Sequence, residues 1–340
     1  IDADSFDTKS FELAGYKQNP LEFESLKEYN LVKAPITSLS AEAASKFGLD
    51  KKTIDKTRNQ FVVGILYWLF NREFESAVSF IKNRFKKKPE LIEPNLAVLH
   101  AGFNFAENVE AMTTQIHVKH AKKEKGLFRN ITGNQATAWC LLAAAERSGR
   151  KLFLGSYPIT PASEILQELS AMKHLDCITF QAEDEIAGVC SAIGASFAGR
   201  LGTTSTSGPG LSLKSEAIGL AVITELPLVV VNVQRGGPAT GLPTKTEQSD
   251  LMQAIYGRNG ESPVVVMAAT TPANCFEYAY KACKISLEHM TPVILLTDGY
   301  LANGSELWKV PDVNDMPEIK PRLVKDNDPI YKPNLRDVET

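Results

Sequence analysis

Cysteine is scarce in this chain and is not clustered. The five cysteines, Cys140, Cys177, Cys190, Cys275 and Cys283, form no C-x-x-C pair and no Cys/His cluster. Their spacing argues against a zinc or iron–sulfur site on this chain. Cys177 and Cys190 stand in apolar stretches and are predicted to be buried thiols. Cysteines used in this way are typical of a reduced, cytoplasmic compartment.

Long apolar runs and a strong excess of one charge are also absent. No run reaches the roughly 18 apolar residues that a membrane helix needs, so we predict no membrane partner. The net charge of −3 gives no reason to expect nucleic acid. The one basic run, 83–90, is predicted to be a solvated helix end. The missing G-x-G-x-x-G and G-x-x-x-x-G-K-[ST] patterns argue against a general nucleotide-binding protein.

Both ends of the sequence are unusual. The chain begins at Ile1 without a methionine and ends in a charged, aperiodic stretch. We expect both ends to be cut from a longer chain, with a processed N-terminus or disordered ends as the alternative. The length of 340 residues predicts about two domains.

The first 130 residues have a helical pattern. The stretch 72–85 places four apolar residues at spacings of four, three and four, which predicts one buried helix face. Pro89 suits a helix start, and Pro94 is expected to bend or restart that helix. The stretch 121–135 is charged and then glycine-rich, and it is predicted to be a linker.

From there, short β-branched strands alternate with helices. The strands are predicted at 151–155, 177–180, 203–207, 226–234, 263–269 and 291–298. The helices are predicted near 135–148, 161–173, 185–199, 210–224, 247–258 and 272–289. This alternation predicts an α/β fold, a parallel sheet with helices on both faces.

The unusual residues follow the strands. Glycine, proline, threonine and charged residues gather after five of the predicted strands, at 156–164, 181–188, 206–210, 234–250 and 298–304. The loops at the opposite edge, such as "HLD" and "NGES", are plain. Because ligands bind beyond the carboxyl ends of parallel strands, this pattern predicts a ligand edge.

The stretch "TSTSGPGLSL" is predicted to be a strand-to-helix turn at that edge. Gly208 and Gly210 remove side chains where the backbone approaches a neighbour, and Pro209 fits a first helical turn. Hydroxyl and N–H groups of Thr206 and Ser207 would then face a polar ligand or a partner chain. A tight turn without a ligand is the alternative.

Two charged residues stand out at the same edge. Glu185 opens an Ala- and Gly-rich helix and is a candidate to hydrogen-bond a fixed ligand atom. Its neighbours Glu183 and Asp184 compete for that role, and simple compensation of the helix dipole is the alternative. Arg235 follows the most apolar strand and offers a fork of donors to a carboxylate or phosphate. A structural salt bridge is the alternative there.

These motifs together resemble the pyrimidine-binding domain of thiamine diphosphate enzymes. More narrowly, "YPITPASE", "QAEDEIAGVCSAIGAS", "TSTSGPGLSLKSEAIGLAVITELPLVVVNVQRGGPATGLPT" and "EQSDLMQA" resemble the α subunit of 2-oxoacid:ferredoxin oxidoreductases, 2-oxoglutarate type. The N-terminal part resembles the C-terminal half of the γ domain that some of these enzymes fuse ahead of the α domain. The resemblance covers about residues 30–305.

The resemblance implies three parts. Residues 1–125 would be the C-terminal part of a mostly helical γ-like domain with its linker. Residues 131–310 would be the pyrimidine-binding α domain, and 311–340 a linker toward a further domain.

The resemblance also implies a reaction and its residues. A 2-oxoacid, coenzyme A and oxidised ferredoxin would give acyl-coenzyme A, carbon dioxide and reduced ferredoxin. Glu185 would hydrogen-bond N1′ of the cofactor's aminopyrimidine, and Thr160, Arg235 and Thr244 would hold the substrate. The residues implied to bind thiamine diphosphate are Glu185, Tyr157, Pro158, Thr160, Ser207 and Gly208.

One motif of the superfamily is missing. There is no G-D-G with a downstream Asn, so the Mg²⁺–diphosphate half and the iron–sulfur cluster are expected on a separate β subunit. We therefore expect a higher-order hetero-oligomer, or a homodimer of the α chain, that is inactive without that subunit. Glu185 is expected to lie exposed at the interface. A relative acting on pyruvate, a branched-chain or an aryl 2-oxoacid, and a non-catalytic scaffold of the same fold, are the alternatives.

Overall fold

The computed structural model describes residues 1–109, 115–119 and 121–321, together with Arg336 and Val338. The chain divides into two compact units, Ile1–Lys123 and Glu124–Thr340. Most of the linker predicted at 311–340 lies outside the described residues.

The first unit is helical, as predicted. Its helices are α1 (Thr8–Leu13), α2 (Ile36–Ser45), α3 (Lys51–Asp55), α4 (Arg58–Leu69), α5 (Glu75–Arg84) and α6 (Ile92–Asn108). Pro89 opens a short 3-10 turn before α6, and Pro94 lies in the first turn of α6, where a missing N–H loses no helical bond. The basic run after α5 is exposed, as predicted.

Two glycines let α4 and α6 pack backbone to backbone. A Cβ built on Gly64 would lie 2.1 Å from the main-chain oxygen of Leu99, and one on Gly102 would lie 1.9 Å from that of Phe61. Phe61, Val98 and Leu99 are fully buried around this crossing. The apolar positions of the predicted helices therefore form the core of the first unit.

The second unit contains the predicted parallel sheet. All six predicted strands are confirmed, with small differences at their ends. They are β2 (Leu152–Ser156), β3 (Ile178–Gln181), β4 (Leu201–Thr206), β5 (Leu228–Gln234), β6 (Val265–Ala268) and β7 (Pro292–Asp298). Across the sheet they follow the order β3-β2-β4-β5-β7-β6. Strands β4, β5 and β7 are buried along their whole length, while β3 and β6 form the edges.

Helices cover both faces of the sheet. These helices are α7 (Gly133–Arg147), α8 (Ser163–Ala171), α9 (Glu185–Phe197), α10 (Gly208–Leu213), α11 (Ser215–Ile223), α12 (Leu251–Tyr256), α13 (Asn274–His289) and α14 (Gly299–Asn303). Apolar residues of α7, α8 and α13 pack on one face, and residues of α9, α10, α11 and α12 pack on the other. Alternate residues of β5 point to opposite cores, as expected for a central strand.

The prediction of a linker at 121–135 is wrong in its second half. Strand β1 (Phe128–Thr132) pairs antiparallel with β8 (Ser305–Lys309), and α7 starts at Gly133. Thr132 caps α7: its hydroxyl accepts a hydrogen bond from the Gln135 N–H, and the side-chain oxygen of Gln135 accepts one from the Thr132 N–H. The polar "TGNQ" stretch is therefore a helix start rather than a flexible connection.

Cys177 is buried, as predicted, but Cys190 is exposed. The buried positions of α9 are Glu185, Gly188, Val189, Ala192, Ile193 and Ser196. Cys190 falls on the opposite side of that helix, together with Ile186 and Phe197. Its apolar sequence neighbours therefore do not bury it.

Candidate functional site

The sheet has a topological switch point between β2 and β4. Strand β2 connects outward to β3, whereas β4 connects in the other direction to β5. In such sheets the crevice outside the carboxyl ends of these strands is the expected ligand site. At that end Ser156 of β2 and Ser205 of β4 are joined, with their hydroxyl oxygens 2.8 Å apart. The sequence motifs after β2, β3, β4 and β5 begin from this edge.

The three neighbouring acids at the start of α9 have different environments, because one of them caps the helix. The Asp184 carboxylate accepts a hydrogen bond from the Ala187 N–H at 2.7 Å and so caps α9. Glu183 is exposed. Glu185, the first residue of α9, points inward, and only 9% of it is exposed. The expectation that Glu185 lies exposed is therefore wrong for this chain by itself, because the α10 turn packs over it.

Gly210 makes room for Glu185 within that turn. A Cβ at Gly210 would lie 2.0 Å from Oγ1 of Thr206 and 2.8 Å from Cγ of Glu185. Any larger residue would therefore displace the Glu185 side chain. Among the residues that the structure describes, no group hydrogen-bonds to the Glu185 carboxylate. The "TSGPG" turn thus packs against the Glu185 side chain but donates no hydrogen bond to its carboxylate.

Sequence reasoning missed Lys214, which closes the site from the interior. Lys214 is fully buried, and its Nζ donates a hydrogen bond to the main-chain oxygen of Glu185 at 2.8 Å. Burial lowers the pKa of Lys214 to about 8, against the opposing effect of the nearby Glu185, Asp184 and Cys190. A signal was present: Leu211, Lys214 and Ile218 follow helical spacing, so this lysine occupies a core position.

Arg235 ties two loops together instead of forming a salt bridge. Its Nη1 donates to the main-chain oxygen of Thr160 at 2.5 Å, and its Nη2 donates to that of Thr240 at 2.7 Å. Its Nε is buried and has no partner in the described part of the chain. Burial lowers the pKa of Arg235, and the nearby Glu185 opposes that shift. Glu185 therefore interacts electrostatically with two cations, Lys214 and Arg235.

Ser207 and Gly208 form the start of α10, as predicted. Ser207 is fully buried, and its hydroxyl has no hydrogen-bond partner within the described ranges. It occupies the N-cap position of α10 without capping the helix. A Cβ at Gly208 would lie 2.8 Å from a carboxylate oxygen of Asp250. A buried hydroxyl without a partner costs about 1–3 kcal/mol of stability.

The remaining predicted residues are more exposed. Tyr157 is 38% exposed, and Pro158 is half-buried in the same loop after β2. Thr160 and Thr244 are brought together in a cavity of about 310 Å³ that also contains Glu164.

Arg235 is not in that cavity. It lines a second one of about 720 Å³ together with Gly208, Thr240 and Asp250. The structure thus distributes the predicted substrate residues over two neighbouring cavities, joined by the Arg235–Thr160 hydrogen bond.

The residues that the structure describes contain no group of three or more His, Cys, Asp or Glu side chains placed to hold a metal ion. None of the helices formed by these residues has both the length and the apolar character needed to cross a bilayer.

Comparison with known proteins gives the family. Residues 145–337 match the pyruvate flavodoxin/ferredoxin oxidoreductase family, thiamine diphosphate-binding. The whole chain is 50% identical to 2-oxoglutarate oxidoreductase subunit KorA of Mycobacterium tuberculosis, over 52% of that protein. It is 40% identical over 193 residues, 56% of this chain, to 2-oxoglutarate synthase subunit KorA of Archaeoglobus fulgidus, over 54% of that protein.

A solved structure shares the fold. The 2-oxoglutarate:ferredoxin oxidoreductase from Magnetococcus marinus, with 2-oxoglutarate, coenzyme A and succinyl-CoA bound, matches with a TM-score of 0.75 and 29% identity. The match covers 95% of this chain and 56% of that one. The chain thus spans about half the length of the relatives it matches. With more than half of its residues matched, the chain belongs to the thiamine diphosphate-binding family of pyruvate flavodoxin/ferredoxin oxidoreductases.

Proposed function

We propose that this chain is part of the α subunit, with a fused partial γ domain, of a 2-oxoglutarate:ferredoxin oxidoreductase. It would supply the half of the active site that receives the aminopyrimidine of thiamine diphosphate. The observation that carries the proposal is Glu185 at the switch point of the sheet: the residue is only 9% exposed, and its carboxylate accepts no hydrogen bond from the residues that the structure describes. Buried polar groups are almost always satisfied, so such a carboxylate is a strong candidate for a ligand contact.

The residues present fit that cofactor. The unpartnered Ser207 hydroxyl lies at the start of α10, and Gly210 in the same turn leaves room for the Glu185 side chain. A flat ring with hydrogen-bonding edges suits such a cradle. Ser207, Gly208, Tyr157, Pro158 and Thr160 would surround the cofactor. When bound, thiamine diphosphate supplies the electron sink for decarboxylation of a 2-oxoacid.

Glu185 would hold a proton at N1′ of the aminopyrimidine. The first turn of α9 and the α10 turn fix its side chain, so little reorganisation is needed when the contact forms. General acid–base groups placed in this way contribute about 10²–10⁴-fold to a rate.

The substrate would lie beside the loop after β2. Thr160 and Thr244 line the same cavity there, and Arg235 donates a hydrogen bond to the main-chain oxygen of Thr160. We assign these residues to binding the 2-oxoacid, with Thr244 at its carboxylate. The overall reaction would convert 2-oxoglutarate, coenzyme A and oxidised ferredoxin to succinyl-coenzyme A, carbon dioxide and reduced ferredoxin. The names of the relatives support 2-oxoglutarate over other 2-oxoacids.

The rest of the enzyme would be a β subunit carrying Mg²⁺, the diphosphate site and the iron–sulfur cluster. The two relatives are named as subunits, which supports a hetero-oligomer. The first unit, Ile1–Lys123, would be the γ-like part, with the α domain at 131–310 and a linker at 311–340. Five unpaired cysteines suit a reducing cytoplasm.

The test mixes the full-length form of this subunit with its candidate β subunit. Thiamine diphosphate binding and dye reduction dependent on 2-oxoglutarate and coenzyme A are followed for wild type, Glu185→Gln and Glu183→Gln. We expect activity only in the mixture and a loss of about 100-fold or more for Glu185→Gln. Glu183→Gln, a matched change at an exposed neighbour, should behave like wild type.

Three outcomes would revise the proposal. Equal activity of Glu185→Gln and wild type would show that Glu185 is not the carboxylate that contacts the aminopyrimidine. If pyruvate, a branched-chain or an aryl 2-oxoacid reacted and 2-oxoglutarate did not, the proposed substrate would be wrong and the reacting 2-oxoacid would take its place. Complex formation without cofactor binding would point to a scaffold.

A further inference from the structure

Lys214 is the most unusual charged residue of the second unit. It is fully buried at the end of α10, in the core between α9, α10 and α11. Lysines are almost never fully buried unless they are paired. Among the described residues its Nζ has one hydrogen-bond partner, the main-chain oxygen of Glu185, although an ammonium has three donors. Packing alone does not explain why a lysine occupies this position in the core.

The charged surroundings of Lys214 belong mainly to the candidate site. Glu185, Asp184 and Cys190, all on α9, act on it electrostatically. Glu216 of α11 acts electrostatically on Cys190, and Arg235, which follows β5, interacts with Glu185. Lys214 is thus the cation bonded to the Glu185 main chain, and Arg235 is the cation bonded to the Thr160 main chain.

We propose that Lys214 is a positioning residue: its buried ammonium anchors the first turn of α9 and thereby holds the Glu185 carboxylate toward the aminopyrimidine of the cofactor. This inference rests on the proposed function. The hydrogen bond fixes the main chain of Glu185, and the positive charge attracts its side chain at the same time. Both effects act before any ligand arrives, so the carboxylate is pre-organised.

If the charge of Lys214 positions Glu185, the affinity for thiamine diphosphate should depend on pH. Burial brings the pKa of Lys214 down to about 8, so its charge is lost within a range where surface lysines remain charged. The wild-type complex should therefore bind thiamine diphosphate more weakly as the pH rises from 7 to 9. A neutral amine still donates one hydrogen bond but no longer attracts the carboxylate.

The test compares Lys214→Met with Leu211→Ala in the full-length subunit assembled with the β subunit. Methionine keeps most of the volume of lysine without its charge, whereas Leu211→Ala opens a cavity in the same core and leaves the charge in place. Thiamine diphosphate affinity is measured from pH 6.5 to 9.5. We expect Lys214→Met to bind about tenfold more weakly at pH 7 and to show no step near pH 8. Leu211→Ala should keep the step.

Two further measurements make the result decisive. In a Glu185→Gln background Lys214→Met should cause a smaller loss than in the wild-type background, since the attraction between the ammonium and the carboxylate is already gone and only the main-chain hydrogen bond is left to lose. In the ligand-free subunit, amide hydrogen exchange in the first turns of α9 should be faster in Lys214→Met than in Leu211→Ala. Unchanged affinity, an unchanged pH step or unchanged exchange in Lys214→Met would overturn the inference. Failure of the wild-type complex to bind thiamine diphosphate would instead overturn the proposed function, and the exchange experiment would still test whether Lys214 anchors α9.

Discussion

Nη1 of Arg235 lies 2.5 Å from the main-chain oxygen of Thr160, so the end of β5 is tied to the loop that follows β2. The same guanidinium holds the main-chain oxygen of Thr240 with Nη2. The intervening strand β4 places Ser207 and Gly208 between these two loops. One side chain therefore fixes the distance between the parts of the site that would hold the substrate.

This tie predicts the effect of Arg235→Lys. Lysine keeps the charge but cannot reach both carbonyl oxygens, because its ammonium is a single point rather than a planar fork. We expect kcat/KM of the assembled enzyme for the 2-oxoacid to fall by about 10–100-fold, since small misplacements of a positioning group are costly. Steady-state kinetics would measure this fall. If Arg235→Lys kept the wild-type kcat/KM, a positive charge at this position would be sufficient, and the two hydrogen bonds to the loops would not be needed for activity.

Gly210 gives a test of the cradle around Glu185. In Gly210→Ala the new methyl group would lie 2.0 Å from Oγ1 of Thr206, so we expect lost stability and lost thiamine diphosphate binding. Gly219 and Gly194 are the matched controls, because an added Cβ at either has no contact closer than 3.8 Å. Alanine there should raise helix stability by about 0.5–1 kcal/mol and leave cofactor binding unchanged. Thermal unfolding and cofactor titration would separate the two effects.

The unpartnered Ser207 hydroxyl predicts opposite effects on stability and binding. Ser207→Ala removes a buried polar group that gains nothing in the ligand-free chain, so its free energy of unfolding should stay equal or rise. Cofactor affinity should fall about tenfold. Ser196→Ala is the control: its hydroxyl donates to the Pro227 oxygen at 2.6 Å, away from the switch point. That change should lower stability by about 1 kcal/mol and leave binding intact. Reversed results for the two serines would contradict this reasoning.

Lys214 predicts a stability that depends on pH. Its pKa of about 8 in the folded chain is below the ordinary value of 10.5, so the unfolded chain binds more protons between these two values. Stability should therefore rise from pH 8 to 10.5, and the cost of the buried charge is present in full below pH 8. We expect Lys214→Met to be more stable than wild type at pH 7 by roughly 1–3 kcal/mol. This advantage should shrink as the pH approaches 10.5. Denaturant unfolding at several pH values would measure it, and a constant difference would contradict it.

The parallel sheet was predictable because each buried strand is a short apolar run bounded by clear turn residues. The ribbon of β1 and β8 was not, because only Ile131 and Trp308 of its residues are buried, and the strands are far apart in the chain. Local periodicity carries no information about such a pairing.

Within the site, the sequence located the loops but not the side-chain roles. The choice of Glu185 among three acids depends on which one caps α9, and capping is set by backbone geometry. Cys190 was mistaken for a buried thiol because apolar sequence neighbours do not reveal which side of a helix faces the core. Lys214 was overlooked because a lysine in an apolar stretch is usually assigned to the surface, while its burial depends on α9 and α11 closing over it.

The Asp184 cap and the buried side of α9 together select one of three consecutive acids. Each residue of an α-helix advances the side-chain direction by about 100°, so Glu185 points to the same side as Gly188, Val189 and Ala192, which are buried. Packing of that side sets the rotation of α9. The Asp184 cap makes Glu185 the first helical residue, so Glu185 is the one acid of the three whose direction is fixed by the packed helix.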